Sequence, residues 1–383
     1  MNHDLILHKL KHDYNIDGRL LNFISNYLSD REQCVIIGNS KSEMKPVLSG
    51  VPQGSILGPI LFVLFINDLP SGLDSKTDIA LYADDTKIWR TILSEEDHVI
   101  LNKDIAYLHN WATRNLMKFH PQKCKVVSVA ARKPPLLGIL PFIHYSYELG
   151  GNPLDYVEFE KDLGVEINCK LNFSSQCEKL LSKAKQQLGM VRKNCYFVKD
   201  IRRRRALYLS LVRSQFEHCS QIWRPSNDSM LQKFEIFQKR CIKWILSEEY
   251  VYYYTNEMYV QKCRLVNLLP MRSIFLINDL VLFHKIVHGL IPVNLPSYLS
   301  FFSGSTRLRS THLDTMSLVC SLNSNRFNAS CLSKSFFFRA HTSWNDLPLD
   351  LREISSSTLF KNKLKDYMWS KILQDLNESS SND

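Results

Sequence analysis

The 383-residue sequence predicts an α+β chain, with a β hairpin and an apolar helix in its first third and a mainly helical remainder. Three observations carry that expectation. Ile79 to Tyr82 and Thr86 to Trp89 are short β-prone apolar runs, and the Ala83-Asp84-Asp85 step between them has the character of a hairpin turn. Leu57, Ile60, Leu61, Leu64 and Phe65 recur at helical spacing after Ser55, a residue able to cap a helix, with Pro59 tolerable near the first turn. Beyond Phe173, apolar stripes at the same spacing follow one another: Leu180, Leu181, Ala184, Leu188 and Val191; then Leu207, Leu211 and Val212; then Leu231, Phe234, Cys241, Ile242 and Ile245.

The hairpin turn is where chemistry is expected. Two carboxylates held side by side repel one another unless a cation accompanies them, and the natural occupant is Mg²⁺. Two-metal phosphoryl transfer uses such carboxylates to hold ions roughly 3.5–4 Å apart, one activating the attacking oxygen and one steadying the leaving group. An isolated Asp-Asp is more often a polar turn, since turns favour Asp. The preceding run, Ser49 to Pro70 (SGVPQGSILGPILFVLFINDLP), reverses that balance. Gly50 and Gly54 permit backbone conformations and close approaches that a Cβ would block. A helix cap alone has no need of the Gln53 and Gly54 that follow Pro52.

Together these residues resemble the reverse transcriptases of non-LTR retrotransposons, the jockey and CR1-like elements in particular. Ser49 to Pro70 is similar to the family's motif B, and Tyr82-Ala83-Asp84-Asp85 to its catalytic motif C. Viral RNA polymerases usually carry Gly-Asp-Asp and a different motif B. Group II intron and telomerase enzymes lack the Ile66-Asn67-Asp68-Leu69-Pro70 ending. The resemblance implies that Asp84 and Asp85 are catalytic and metal-binding, and that Ser49, Gly50, Pro52, Gln53, Gly54 and Tyr82 lie against the template and nucleotide. Leu108-His109-Asn110-Trp111 through Lys125 resembles motif D, whose lysine protonates the departing pyrophosphate; Lys123 and Lys125 are both candidates. Glu160 to Val165 resembles the primer grip, with Leu163 and Gly164 at its bend. Trp344-Asn345-Asp346-Leu347-Pro348, Phe360 and Leu364 extend the likeness over nearly the whole chain.

In the family a first catalytic aspartate stands in a segment of the type Ala-Phe-Asp-Lys-aliphatic-x-His-x-x-Leu. Met1 falls on the aliphatic position, so that aspartate and the fingers are expected upstream of this sequence, and Asp4 reads as a helix N-terminal charge. The implied fold is therefore an incomplete polymerase palm, an antiparallel sheet with helices, followed by a helical thumb and C-terminal region. The implied reaction adds deoxynucleotides to a DNA primer on an RNA template, with two Mg²⁺ ions, or Mn²⁺ in their place. Its partners are the template, the primer and deoxynucleoside triphosphates. Because positioning and charge neutralisation supply most of such catalysis, the chain by itself is expected to be inactive.

The formal net charge is +10, and it is concentrated. Phe173 to Ser247 holds 16 Lys+Arg against 5 Asp+Glu, so the remainder of the chain is close to neutral. Lys179, Lys183, Arg192, Arg202, Arg203, Arg204, Arg205, Arg213, Lys239 and Arg240 are expected to track nucleic-acid phosphates from the helical faces left over by the apolar stripes. The expected segments are a palm over 1–170, a basic thumb over 171–250, a mainly helical region over 251–376 and a disordered tail over 377–383. A non-catalytic RNA- or DNA-binding protein that retains the basic thumb is the alternative reading.

Ten cysteines with no C-x-x-C pair are expected to be reduced and mostly buried. His284 and His288 at i,i+4 lack the glutamate of a metalloprotease helix and read as structural. The longest wholly apolar run, Ile60 to Ile66, falls well short of the roughly twenty residues of a membrane span. No membrane contact and an intracellular location, nuclear or cytoplasmic, are expected. Leu268 to Phe283 suggests a further helix, Ser303 to Ser324 a loop, and Phe336 to Trp344 either packing or RNA contact.

Overall fold

A computed structural model describes residues 1–129, 145–248, 255–301, 316–321 and 334–380. Two compact units divide the chain, Met1–Glu158 and Phe159–Asp383. The division falls before the expected boundary at residue 170, because the hairpin of residues 159–168 is grouped with the helices that follow it.

The first unit opens with α1 (His3–His12) and α2 (Gly18–Leu28). Asn2 caps α1, accepting the Leu5 N–H at 3.0 Å, and Asp4 lies in its first turn, where its charge suits the helix dipole. An extended arm pairs β1 (Glu32–Gln33) with β4 (Lys45–Pro46), and β2 (Ile36–Ile37) with β3 (Ser40–Lys41). Then come α3 (Leu57–Ile66), the hairpin β5 (Asp78–Tyr82) and β6 (Asp85–Trp89), and α4 (Glu95–Arg114). Ser94 and Asp97 form a reciprocal capping box at the start of α4. The short strands β7 (Lys125–Val126), β8 (Glu148–Leu149), β9 (Asn152–Pro153) and β10 (Asp155–Tyr156) complete the unit, with β7 and β10 parallel.

Its core joins Ile6 and Leu10 of α1, Leu28 of α2, Leu61 and Phe65 of α3, and Leu108 and Trp111 of α4. Ile79, Leu81 and Ile88 of the hairpin pack against this core from one face. Each fully buried side chain of this size contributes about 1.5–3 kcal/mol. Lys9 crosses the middle of the unit. Its ammonium donates to the Phe65 carbonyl at 2.9 Å and to Asp68 at 2.7 Å, and lies 4.8 Å from the ring centroids of both Phe65 and Trp111. The Asp68 of the Ile-Asn-Asp-Leu-Pro ending thus anchors α3 to α1. In the stripe expected on α3, Leu61 and Phe65 are buried but Ile60 is 52 % exposed, since this helix is apolar on every side and only one side meets the core.

The second unit begins with β11 (Phe159–Asp162) and β12 (Val165–Asn168), an antiparallel hairpin. There follow α5 (Ser174–Asn194), α6 (Ile201–Leu207), a π-helical turn over Tyr208–Val212, α7 (Ser220–Trp223), α8 (Asp228–Leu246), α9 (Asn256–Leu265) and α10 (Met271–Val287). Strands β13 (Leu299–Phe301) and β14 (Leu318–Cys320) pair, and α11 (Phe336–Asn345), α12 (Leu349–Arg352) and α13 (Ser357–Ser380) close the chain. One core gathers α5, α8 and the π turn around Trp223, Phe234 and Phe275. A second gathers α10, α11 and α13 around Phe283, Trp344 and Phe360, and Trp369 packs against both. The expected third stripe, with Leu231, Phe234, Cys241, Ile242 and Ile245, is wholly buried on α8.

Several expectations are corrected here. Tyr208 is buried and Leu211 is 39 % exposed, because the π turn adds a residue to the helical repeat and rotates the buried face. Helix α13 runs through Ser380, so the expected disordered tail is helical over 377–380; residues 381–383 lie outside the described residues. Leu318–Cys320, read as loop, is a strand, while most of the surrounding 303–324 lies outside the described residues. Nine cysteines are described and all are free; Cys177, Cys241 and Cys263 are buried and six are only partly so, fewer buried than expected. The sheet expected as a palm consists, among the described residues, of separate two-stranded pieces.

Candidate functional site

The β5–β6 register pairs Tyr82 with Asp85, leaving Ala83 and Asp84 as a two-residue turn. Ala83 takes a positive φ of 52°, the sense of twist that closes a hairpin this tightly, at a strain of roughly 1–2 kcal/mol for a residue with a Cβ. Asp84 therefore stands at the tip and Asp85 is the first residue of β6, both exposed. Along both strands exposure alternates. Ile79, Leu81 and Ile88 face the core, while Tyr82, Asp85, Lys87 and Trp89 face outward, Tyr82 being 67 % exposed. The side that bears Asp85 is thus the open side of the hairpin.

The loop before α3 is tied down at both ends. Ser49 bridges to Asn2, the Gly50 N–H donates to the Met1 carbonyl at 2.7 Å, and His3 Nε2 lies 3.0 Å from the Gly50 oxygen. Ser55 donates to the Pro52 carbonyl at 2.6 Å and accepts the Gly58 N–H at 3.1 Å, which is the capping role expected of it. Gly50 and Gly54 take φ of 92° and 77°, and nothing lies within 4 Å of where a Cβ would stand on either. Their glycine requirement within the chain is therefore one of backbone conformation, and the space beside them is open.

That loop and the hairpin meet. Pro52, Gln53, Gly54, Ser55, Phe62 and Ala83 line one hollow of about 450 Å³. A second, of about 490 Å³, shares Pro52 and Gln53 with it and is also lined by His3, Arg31, Glu32, Ser49 and Gly50 among others. Segments thirty residues apart in sequence share a wall, which on the hairpin side is formed by Ala83, the residue before Asp84 and Asp85.

The two motif D candidates separate. Lys125, on β7, is paired to Asp155 on β10 at 2.8 Å. Lys123, in the turn Pro121–Lys123, is exposed and has no ion-pair partner among the described residues. At the primer-grip resemblance, Leu163 and Gly164 both take positive φ, 44° and 90°, making the two-residue β11–β12 turn. His218 Nε2 lies 2.9 Å from the Leu163 oxygen and holds the tip to its own unit.

The basic residues sort by burial. Arg204 is buried, its Nε donating to the Val198 carbonyl at 2.6 Å and its Nη1 to the Trp244 carbonyl at 2.5 Å and Ser247 Oγ at 2.6 Å. Arg213 is buried too, 3.6 Å from Glu217. Neither can reach a phosphate, which corrects the expectation for both; their positions on helices next to an irregular turn bring them inward. Arg205 donates to the Asn267 carbonyl at 3.1 Å. Lys179 is paired with Glu166 and holds that carboxyl below its usual range, and Lys239 lies 5.0 Å from the Tyr259 ring centroid. Lys183, Arg192, Arg202, Arg203 and Arg240 are exposed.

Two functional-looking clusters are structural. His284 is buried against Phe360, stacked at 4.2 Å, with Nε2 2.5 Å from the Ile354 oxygen, while His288 Nε2 lies 2.9 Å from the Arg352 oxygen. Burial lowers the His284 pKa below its usual 6.5. Trp344 donates to the Met316 carbonyl at 3.0 Å and Asn345 pairs with the Leu318 backbone, so this stretch packs. Residues that sequence reasoning missed include Lys9, Glu235 and Asp279. Glu235 accepts the Arg272 N–H at 2.8 Å and the Tyr259 hydroxyl at 2.5 Å, and so caps α10 from α8. Asp279 is buried between Arg224, at 2.6 Å, and Arg339, at 2.8 Å.

The described residues contain no group of three or more His, Cys, Asp or Glu placed to hold a metal ion. Asp84 and Asp85 supply hard oxygen donors of the kind Mg²⁺ takes, but two carboxylates on one hairpin are fewer than a pair of ions needs. The described residues by themselves do not fit a complete two-metal centre. No helix among them is long and apolar enough to cross a membrane.

Residues 2–163 match the family model for reverse transcriptase (RNA-dependent DNA polymerase). The chain is 28 % identical over 231 residues to the probable RNA-directed DNA polymerase from transposon BS of Drosophila melanogaster, covering 58 % of this chain and 25 % of the relative. It is 29 % identical over 160 residues to the RNA-directed DNA polymerase from mobile element jockey of the same fly, 39 % of this chain and 16 % of the relative. The probable polymerase from transposon X-element is 24 % identical over 254 residues, 63 % of this chain and 26 % of the relative. The chain thus spans about a quarter or less of the length of these curated relatives. The expected resemblance to non-LTR retrotransposon polymerases is borne out.

Proposed function

We propose that this chain carries part of the active centre of an RNA-directed DNA polymerase of a non-LTR retrotransposon, one that extends a DNA primer on an RNA template. The observation that carries the reading is the hollow shared by the Pro52–Ser55 loop and Ala83, the turn residue that immediately precedes Asp84 and Asp85. In this reading the loop from Ser49 to Gly54 and the exposed face of Tyr82 lie against the template base and the incoming deoxynucleoside triphosphate. Asp84 and Asp85 present carboxylates to a divalent ion, whose chemistry when bound is to neutralise phosphate charge and activate the attacking hydroxyl. Lys123 is the better-placed proton donor, because Lys125 is already engaged by Asp155. The Leu163-Gly164 turn is read as a primer grip, and the α5–α8 region as a thumb that follows the duplex backbone through its exposed cations.

The test is local. With Fe²⁺ in place of Mg²⁺, hydrogen peroxide as oxidant and ascorbate to return Fe³⁺ to Fe²⁺, hydroxyl radicals cut the backbone near bound metal. Cuts are expected around 83–86 and 49–55, and the pair Asp84→Asn, Asp85→Asn should remove them; an unchanged pattern in that variant overturns the metal role. Because the described donor set is incomplete, extension of a DNA primer on an RNA template by this chain with Mg²⁺ is expected at background level. Extension that Asp84→Ala abolishes would show that two carboxylates suffice.

A further inference from the structure

We propose that the turn between α5 and α6 is a stacking platform for unpaired bases of a single-stranded nucleic acid. The turn carries two adjacent aromatic side chains that neither core takes in. Tyr196 is 70 % and Phe197 67 % exposed, and their rings meet edge to face with centroids 5.7 Å apart. Large rings are the side chains a core would gain most from burying, so a pair left side by side in water suggests a ligand face.

The surroundings select the ligand. Arg192, Lys193, Lys199, Arg202 and Arg203 flank the two rings in sequence, are exposed, and have no ion-pair partner among the described residues. The one carboxylate in the turn, Asp200, is used as the α6 cap, accepting the Arg203 N–H at 2.8 Å. The platform is also held from beneath. Cys195 packs on the core, and the buried Arg204 fixes the Val198 carbonyl to the end of α8. Unstacked bases offer π faces to the rings while their phosphates meet the cations. A duplex offers the same phosphates but keeps its base faces closed, and an acidic peptide would satisfy the cations and leave the rings uncovered. This inference rests on the preceding reading only in taking the partner to be nucleic acid.

The test uses the full chain and fluorescence anisotropy with a short single-stranded RNA, its DNA counterpart and a blunt duplex of the same sequence. Tyr196→Ser combined with Phe197→Ser should weaken single-strand binding roughly tenfold or more. The slope of log K against log salt and the duplex affinity should stay as they were. Arg192→Gln with Arg203→Gln should instead flatten the slope, by about 0.7 per lost phosphate contact. Loss on RNA alone, on DNA alone or on both supports the platform and identifies its source. Unchanged single-strand affinity, an equal loss on the duplex, or a change only in self-association by sedimentation overturns it. Failure to bind a recessed RNA–DNA hybrid alongside a ring-dependent single-strand affinity would sink the polymerase reading and leave the platform standing; the reverse pattern would do the opposite. Both side chains are exposed, and an unchanged melting curve for the variant confirms that the fold is retained.

Discussion

At Ala83 a single backbone angle shapes the rim of the candidate site. A φ of 52° is strained for alanine and free for glycine. Ala83→Gly is therefore expected to keep the hairpin register and change stability by less than about 1 kcal/mol, the relief of strain offsetting the added chain entropy. Urea unfolding would measure it, and a loss above that amount would show that the alanine methyl packs. Asp279 lies at the other extreme. It is buried between two arginines, so Asp279→Ala leaves both guanidinium groups uncompensated and should cost about 3–5 kcal/mol by the same measurement. Arg204→Ala removes three hydrogen bonds from one buried cation and should cost about 3 kcal/mol, whereas Arg203→Ala, one position earlier and exposed, should cost under about 0.5.

Among the elements, helix α10 depends most on its neighbours. Its first N–H groups are satisfied by Glu235 of α8, and its last turn carries His284, stacked on Phe360. His284 is held neutral by burial, with its pKa below the unfolded value of 6.5. Below that pH the unfolded chain binds a proton that the native chain refuses, so stability is full above 6.5 and falls as pH drops toward the native pKa. The urea midpoint should therefore decline between pH 7 and pH 5. His284→Phe, which keeps the stack on Phe360, should flatten that decline; an equal slope in the variant would place the titration elsewhere. The π turn at Tyr208–Val212 explains why sequence periodicity misplaced a face there. A stripe drawn at the α-helical repeat is correct on α5 and α8 and is out of phase once an extra residue enters the helix.

For the whole chain, the surplus of cations in 173–247 predicts salt-dependent binding to an RNA–DNA hybrid. With Arg204 and Arg213 buried and Lys179 paired, the exposed subset is smaller than composition alone suggests. Arg202→Gln with Arg203→Gln should lower the slope of log K against log salt by about 1–2, while Arg213→Gln should leave the slope unchanged and lower stability. The sequence by itself determined the resemblance to non-LTR retrotransposon polymerases, the hairpin with Asp84 and Asp85 at its turn, the capped α3 and the buried faces of α5 and α8. Each of these is local: a motif, a turn or a repeat whose residues are neighbours along the chain. Only the tertiary structure decided which of Lys123 and Lys125 is unengaged, which arginines face water, and which distant groups anchor α3 and cap α10. Asp155 reaches Lys125 across thirty residues, Lys9 reaches Asp68 across fifty-nine, and Trp244 holds Arg204 across forty. Such partners are set by how elements pack, and no period or motif within either segment encodes them.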